Sequence, residues 1–541
     1  MLRRRVLPVA MAAFVVAALG SFTAGAATLI NVQANEPQIA GDATSDSTAV
    51  FPANKQNEPT IAVNPVNANR LIAGTNDEQQ QPPCGPGPVR GPDALPSDCS
   101  FFPEVGTSGV YTSSDGGDTW INRGLLPGFT DYGDDGTLIS DGDPVIVYGP
   151  KPTATGFSYA NGARAYYATL ASYASGAAKG RQAPELLAVS ISDDNGLHWS
   201  DPVVAASAHG YVFNDKEAIW VDDNPASAYF GRAYVSWTQF RDILGCAEPI
   251  MVARSADGGT TWSRPQQLSA AQNCGLGGRQ GSTLRTSSSG TVYAVWEDSD
   301  VNGYKQVVSR SQNGGVTWTL PSTIAYIHDI SANGDFIPGA NFRVDSFASL
   351  AIDQSSGTLY VAWADLRAGG SRMVVSTSTN GGRAWSTPRV VSASAQGSVF
   401  FQGLDVAPNG RVDLAFQGLK AVDPSTFGAG NAKINAYYVK STDGTTWSSP
   451  RKVSTASSDP AASSQNNLAL QFWGDYSTLV STNSEVWFIA TDSRNGVPCV
   501  AVDAYQHGLD GSGPVVAKPA PGIVCPGQFG NTDAYVSVFT P

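Results

Sequence analysis

Short apolar runs alternate with polar turns along nearly the whole chain after residue 55. A typical unit has a short apolar run, a turn, an aromatic-rich run, a loop and a third apolar run, as in residues 350–353, 359–363 and 373–376. Apolar runs of this length, bounded by Gly, Pro, Asn and Asp, are typical of β-strands, and helical periodicity is nearly absent. The pattern therefore predicts an all-β chain built from repeated small sheets.

One motif follows the third run in most of these units. Its six copies begin with a serine and occupy residues 113–120, 192–199, 255–262, 311–318, 378–385 and 441–447. The Asp or Asn at the third position can accept hydrogen bonds from backbone N–H groups downstream. The glycine at the fifth position, or at the fourth in the last copy, which is one residue shorter, can take positive φ. The tryptophan then begins the returning strand. The motif predicts a tight hairpin before the last strand of each unit.

The motif S-x-D-x-G-x-x-W resembles the Asp-box of sialidases and other bacterial neuraminidase repeat (BNR) proteins. The resemblance implies a β-propeller, and it concerns the fold, since the same box occurs in enzymes and in binding propellers. Counting units along the chain gives seven four-stranded blades, the seventh without a box, with six blades, the sialidase number, as the alternative. The first three strands of the seventh blade are predicted at 477–480, 485–490 and 499–502. We expect residues 535–539 or the segment before residue 55 to close the ring.

The N-terminal residues have the features of a secretory signal. Three arginines precede an apolar stretch and the small residues of a cleavage site at 24–26, so residues 1–27 are predicted to be a signal peptide. A membrane anchor is the alternative, but the apolar stretch is short for a span. Residues 28–54 are expected to form an extended lead-in, and residues 55–541 the propeller. We therefore expect a secreted protein that contacts no membrane after cleavage.

Charge and cysteine content narrow the classes of partner. The chain has 33 Lys and Arg against 46 Asp and Glu, a net charge of −13. Binding to nucleic acid is disfavoured because it requires a basic surface. The six cysteines suit an oxidising compartment, and pairing of nearest neighbours is one of 15 connectivities: Cys84–Cys99, Cys246–Cys274 and Cys499–Cys525. We expect a monomer whose partner is a carbohydrate or glycoconjugate.

Charged residues recur where the inner strands begin and where the second strands end. In a propeller both places lie on the face opposite the boxes, around the mouth of the central channel. The arginines predicted to bind substrate there are Arg279, Arg343, Arg367 and Arg494. Fixed guanidinium groups suit a ligand that carries a carboxylate or many hydroxyls. The alternative for the Asp-x-Arg pairs at 365–367 and 492–494 is a salt bridge that fixes the loop.

The resemblance to sialidases also suggests catalytic residues. Sialidases use a tyrosine nucleophile activated by a Glu, with an Asp as acid/base, and residues 474–479 (GDYSTL) resemble the neighbourhood of that tyrosine. This implies Tyr476 as nucleophile, with Asp143 and Glu58 as proton-handling carboxyl groups. The early Phe/Tyr-Arg-Ile-Pro motif of sialidases is absent, its nearest echo being residues 342–345. An aromatic ring packed in the channel is the alternative for Tyr476.

Three functions are compatible with this sequence. The first is a secreted, sialidase-like exo-glycoside hydrolase, with sialosides among its candidate substrates. The second is a polysaccharide lyase in which a tyrosine or one of three histidines acts as base, and the third is a non-catalytic propeller that binds glycans or proteins. The histidines are His209, His328 and His507.

No cofactor is predicted. An oxygen-rich loop at 131–136, followed by Asp141 and Asp143, could hold a structural calcium ion or could be a solvated acidic loop.

Overall fold

The chain folds as seven four-stranded antiparallel sheets arranged as the blades of a β-propeller. This computed structural model describes residues 29–37, 55–78, 107–129, 138–173, 185–208, 212–241, 247–271, 278–300, 302–330, 336–367, 370–465 and 467–541. The predicted fold class and the count of seven blades are confirmed. The predicted signal peptide, most of the lead-in, and Cys84, Cys99, Cys246 and Cys274 lie outside the described residues.

Each blade runs outward from an inner strand beside the central channel to an outer edge strand. Blades one to three contain β2 (Gln56–Val63), β3 (Leu71–Asp77), β4 (Ser108–Ser113) and β5 (Ile121–Leu125); β6 (Leu138–Thr153), β7 (Gly156–Tyr173), β8 (Leu186–Ser192) and β9 (Val203–Ala206); and β10 (Phe213–Val221), β11 (Ala233–Phe240), β12 (Ile250–Ser255) and β13 (Gln266–Gln267). Blades four to six contain β14 (Arg279–Thr286), β15 (Val292–Asp300), β16 (Gly303–Ser311) and β17 (Ser322–Tyr326); β18 (Ser349–Ile352), β19 (Leu359–Arg367), β20 (Gly370–Ser378) and β21 (Arg389–Val390); and β22 (Ser398–Val406), β23 (Val412–Ala421), β24 (Ala432–Ser441) and β25 (Arg451–Lys452).

Blade seven joins the two ends of the chain. Its strands, from the channel outward, are β26 (Thr478–Ser481), β27 (Val486–Asp492), β28 (Asp533–Phe539) and β1 (Leu29–Gln33). Because β1 pairs with β28, the N-terminal strand is the outer edge of the last blade. Both segments expected to close the ring therefore take part, and the propeller includes a strand from the region before residue 55.

The third strand of blade seven is not where the sequence analysis placed it. Residues 500–502, predicted as strand, begin α1 (Val500–Asp510), and α2 (Pro521–Val524) follows before β28. A disulfide between Cys499 and Cys525 confirms the third predicted cysteine pair and joins the two helices of this insertion. Within the described residues no helix is long and apolar enough to span a bilayer.

The six boxes form the predicted hairpins. In the third copy Ser255 Oγ donates to Asp257 Oδ1 at 2.8 Å and accepts from Gly259 N at 2.9 Å. Asp257 also accepts from the backbone N–H and the hydroxyl of Thr261. Gly259 has φ of +90°, a conformation that strains most other residues. These internal bonds account for the recurring serine, Asp and glycine of the motif without a ligand.

The hydrophobic core lies between neighbouring blades because successive residues of a strand face opposite sides of the sheet. In blade four, Trp296 and Val307 pack against blade three, whereas Val295 and Val308 pack against blade five. Each blade thus buries both faces, and polar residues at the ends of the strands are left around the channel mouth.

Candidate functional site

The inner strands of several blades contain a bulge close to where they begin. In blades one, two and three the ladder shifts register at Glu58, Asp143 and Lys216, each with φ between 52° and 54°. A bulge turns a side chain out of the regular alternation, and positive φ is rare for residues other than glycine. Strained backbone of this kind clusters at functional sites. The repeated bulge therefore identifies these three positions as candidate functional residues.

Eight side chains from five blades meet in what we call the channel cluster. Lys216 Nζ lies 2.6 Å from Asp475 Oδ2, although blades three and seven are not neighbours in the ring. Such contacts are possible only over the central channel. The cluster consists of Glu58, Asp143, Asp215, Lys216, Glu217, Arg343, Asp475 and Tyr476.

Glu58 and Asp143 form a hydrogen-bonded pair of carboxyl groups. Asn76 connects them, since its Nδ2 donates to Glu58 Oε2 at 2.9 Å and its Oδ1 accepts from Asp143 N at 2.7 Å. Burial, followed by the charge of Asp143, raises the pKa of Glu58 well above its usual value. Burial opposes ionisation of Asp143 too, but Lys216 and the hydrogen bond from Glu58 lower the pKa of Asp143. Glu58 is the proton donor of the pair and Asp143 the acceptor.

Asp475 is the centre of the ion pairs in the channel cluster. Besides Lys216, it accepts hydrogen bonds from Arg343 Nε at 2.7 Å and Nη2 at 2.5 Å. Although burial opposes ionisation, Arg343 and Lys216 hold the pKa of Asp475 well below its usual value. The side chain of Arg343 is 42% exposed, whereas those of Lys216 and Asp475 are 9% and 6% exposed. Arg343 is therefore the cation of the cluster that a ligand could reach.

Tyr476 follows Asp475 in the chain and lies beside the carboxyl pair. Its hydroxyl donates to the carbonyl oxygen of Pro144, next to Asp143, at 3.3 Å. Burial and the charges of Asp143 and Glu58 raise the pKa of Tyr476 well above its usual value. The three residues predicted to be catalytic are thus neighbours, and the phenol is held in its neutral form.

Two further carboxyl groups belong to blade three. Burial and the charge of Asp143 raise the pKa of Asp215 to about 6, against the opposing effect of Lys216. Burial and Asp143 raise the pKa of Glu217 well above its usual value, and neither of its carboxyl oxygens has a hydrogen-bond partner among the described residues. The cluster therefore holds several carboxyl groups that titrate differently.

Three of the four predicted arginines lie outside the channel cluster. Arg279 Nε is 3.0 Å from Asp298, Arg367 Nε is 2.9 Å from Asp365, and Arg494 Nη2 is 2.7 Å from Asp492. For Arg367 and Arg494, the salt bridge that fixes the loop is the geometry observed. Arg494 also stacks at 4.0 Å on the ring of Tyr535, in the outer part of blade seven. Of the four, Arg343 alone contacts the cluster through the bonds described.

The two histidines among the described residues contact residues outside the channel cluster. His328 Nδ1 lies 3.3 Å from Asp365 Oδ1, and His507 Nδ1 lies 2.7 Å from Ser512 Oγ on the helical insertion. His209 and the loop at 131–136 lie outside the described residues. Asp143, one end of the proposed calcium loop, is directed to Glu58 and Lys216.

Sequence reasoning did not select Lys216 or Asp475 as site residues. Both are charged residues where inner strands begin, so the pattern that located the channel mouth included them without singling them out. That pattern does not reveal which residues touch across the channel.

Comparison with known proteins finds one matching family, over part of the chain. Residues 168–403 match the BNR repeat-like domain family. No curated protein matches the chain.

Several solved structures are similar to the chain at low sequence identity. A protein of unknown function from Dyadobacter fermentans DSM 18053 is 14% identical, with a TM-score of 0.41 over 73% of this chain and 93% of the other. The Hadza microbial sialidase Hz136 is 13% identical, with a TM-score of 0.41 over 72% and 67%. An ulvan lyase is 12% identical, with a TM-score of 0.37 over 60% and 74%.

Proposed function

We propose that this sialidase-like, BNR-repeat β-propeller is a secreted glycoside hydrolase that cleaves glycans at the mouth of its central channel. The observation that carries the proposal is the meeting of one phenol and two hydrogen-bonded carboxyl groups from blades seven, one and two. In this proposal Tyr476 is the nucleophile, and Glu58 and Asp143 transfer the protons.

The different proton affinities of the two carboxyl groups suit acid/base catalysis. Glu58 keeps its proton to higher pH and can give it to the departing glycosidic oxygen, whereas Asp143 is ionised and can take the proton of Tyr476. Attack of the tyrosine oxygen on the anomeric carbon breaks the glycosidic bond and leaves a glycosyl-tyrosine. Water then cleaves that bond, Glu58 accepting the proton of the water and the tyrosine oxygen regaining its proton from Asp143.

The cations of the site favour a neutral sugar as substrate over a sialoside. A carboxylate-bearing sugar needs several free guanidinium groups, and Arg279, Arg367 and Arg494 are each paired with an aspartate. Arg343 is also paired with Asp475, so its exposed edge offers one contact. We therefore propose a polyhydroxylated, uncharged saccharide that contacts Arg343 at the rim.

Release of chromophore from a panel of neutral and sialic acid aryl glycosides tests the proposal. Tyr476→Phe is expected to lower kcat/KM by more than about a hundredfold, and Glu58→Gln and Asp143→Asn by about 100- to 10,000-fold each. The control is Tyr326→Phe, because Tyr326 is 63% exposed on β17. Turnover that survives Tyr476→Phe, or no turnover of any glycoside by the wild type, contradicts the proposal.

A glycan-binding propeller without catalysis is the second candidate. It is favoured by the ion pairs of the cluster, since Asp475 holds Arg343 in place and the exposed edge of Arg343 offers a fixed contact for a sugar. Binding on a glycan array without turnover would select it. A polysaccharide lyase has less support, because the described histidines His328 and His507 bond to residues outside the cluster.

A further inference from the structure

Three carboxylates that are not members of the channel cluster converge at the seam between blades four and five. One ligand-capable oxygen from each of Glu297, Asp329 and Asp345 lies within 4.8 Å of the others. Glu297 is on β15, and the two aspartates belong to the segment between β17 and β18. The side chains of Glu297 and Asp329 are buried. Carboxylates this close repel one another strongly unless a cation or protons separate them.

The sequence brings these groups together through the alternation of blade four. Val295 and Val308 face blade five, so Glu297, two residues after Val295, and Gln306, two residues before Val308, face it as well. Glu297 and Gln306 are also directly opposite each other in the β15–β16 ladder. Both side chains therefore point at the segment that leads into blade five.

That segment is held against Gln306 by backbone and hydroxyl contacts. Ser346 accepts from Gln306 Nε2 at 2.7 Å through its carbonyl oxygen, and its hydroxyl accepts from Ile330 N at 3.2 Å. These two bonds place Asp329, next to Ile330, and Asp345, next to Ser346, beside Gln306 and Glu297.

Gln306 supplies an independent observation that points to a ligand. Its side chain is fully buried, and its Oε1 is a buried acceptor without a hydrogen-bond partner among the described residues. A buried amide oxygen without a partner costs about 1–3 kcal/mol. An amide oxygen beside three carboxylates is a ligand set typical of calcium, which takes 6–8 oxygen ligands.

We propose that Glu297, Asp329, Asp345 and Gln306 bind a Ca²⁺ ion at the seam between blades four and five. The set contains oxygen donors alone, which disfavours Zn²⁺, and Mg²⁺ holds its water shell too tightly to use four protein ligands well. The ion joins the second and third strands of blade four to a segment whose described parts, 327–330 and 336–348, contain no regular strand. Asp345 is two residues from Arg343, so the ion also fixes the segment that supplies Arg343 to the channel. This proposal does not depend on the hydrolase activity proposed above.

Calcium binding to the full-length protein tests the site directly. After treatment with EDTA and dialysis, isothermal titration with CaCl₂ should show one strong site, and CaCl₂ should raise the melting temperature more than MgCl₂ at equal concentration. Tb³⁺ should replace Ca²⁺ and luminesce on excitation of tryptophan, because Trp296 adjoins Glu297.

Isosteric variants locate the ion. Glu297→Gln and Asp345→Asn are each expected to weaken calcium binding by about 100-fold or more, and Gln306→Met, which keeps every carboxylate, by about tenfold. The control is Asp300→Asn, which removes the same charge on the same strand from a residue paired with Lys305 at 2.5 Å. Circular dichroism verifies that each variant is folded.

Two results overturn the proposal. One is a wild-type protein that neither binds Ca²⁺ nor gains stability from it. The other is calcium affinity that is unchanged in the Glu297→Gln, Asp345→Asn double variant, which would place the ion elsewhere in the chain.

Discussion

Replacement of Asp475 by asparagine tests whether the channel cluster depends on one carboxylate. The change preserves shape but removes the charge that pairs with Lys216 at 2.6 Å and with Arg343 at 2.7 and 2.5 Å. Loss of one partner from a buried ion pair costs about 3–5 kcal/mol. Arg343 is partly exposed and Lys216 retains Asp143 and Asp215 at 3.4 and 3.5 Å, so we expect the lower end, about 3 kcal/mol.

Calorimetry at pH 7 measures this loss. The entropy of unfolding for a chain of this length is about 1 kcal/mol per degree, so a loss of about 3 kcal/mol corresponds to a melting temperature about 3 °C lower. The matched control is Asp193→Asn, which breaks a similar two-point pair with Arg164 in which Asp193 is 49% exposed. Because Asp193 is half exposed and the buried Arg164 keeps its hydrogen bond to the carbonyl oxygen of Gly258, the loss there should be smaller, about 1 kcal/mol. Equal shifts for the two variants would refute the reasoning.

The same pair of proteins gives a second check through pH. Because Arg343 and Lys216 lower the pKa of Asp475, its stabilising effect is present above the usual carboxyl pKa and disappears only as pH falls through the lowered value. The difference between wild type and Asp475→Asn should therefore be constant from pH 8 to pH 5. A difference that vanishes by pH 5 would mean that the pKa of Asp475 is raised instead of lowered, because an aspartate of ordinary pKa is still ionised at pH 5.

Two further predictions concern the contact between Gly474 and Glu58 and the buried carboxyl groups. Gly474→Ala should cost about 2–5 kcal/mol, because the residue has φ of +77° and a Cβ there would lie 2.7 Å from Glu58 Cγ. Gly357→Ala, at φ of +71° with open space around it, should cost about 1–2 kcal/mol in the same urea titration, and equal costs would contradict the clash. The melting temperature of the wild type should rise as pH falls from 8 to about 5.5, since the folded state takes up protons that the unfolded state does not. A fall over that range would contradict the raised pKa values, which burial brings to about 6 for Asp215, Asp222, Asp223, Asp405 and Asp533.

The fold could be predicted from sequence because its signals are local. The box residues bond to one another within a few positions, as Ser255, Asp257 and Gly259 show, so each hairpin could be recognised without knowledge of the rest. The error in blade seven arose where local signals conflict with topology. Residues 499–502 have the composition of a strand, but the disulfide-linked insertion displaces the third strand to residues 533–539.

The candidate site was predictable in its location but not in its contacts. Tyr476 was selected through the resemblance of residues 474–479 to the sialidase nucleophile, with Glu58 and Asp143 as the carboxyl groups that this resemblance requires. All three lie where inner strands begin, and these strands do converge. The positive φ of Glu58, Asp143 and Lys216 has no local signature, since charged residues rarely adopt it. The pairing of each arginine with an aspartate could be foreseen within an Asp-x-Arg run, as for Arg367, but not between blades, as for Arg343 and Asp475.

The charge of the channel cluster links its stability to the choice of substrate. With Glu58 and Glu217 keeping their protons, three carboxylates (Asp143, Asp215 and Asp475) face two cations (Lys216 and Arg343), which leaves one net negative charge. A carboxylate-bearing sugar would add a second negative charge beside a cation that is already shared, whereas a neutral sugar adds none. The ion pairs that let these carboxyl groups crowd together are therefore the same ones that leave little positive charge for an anionic ligand.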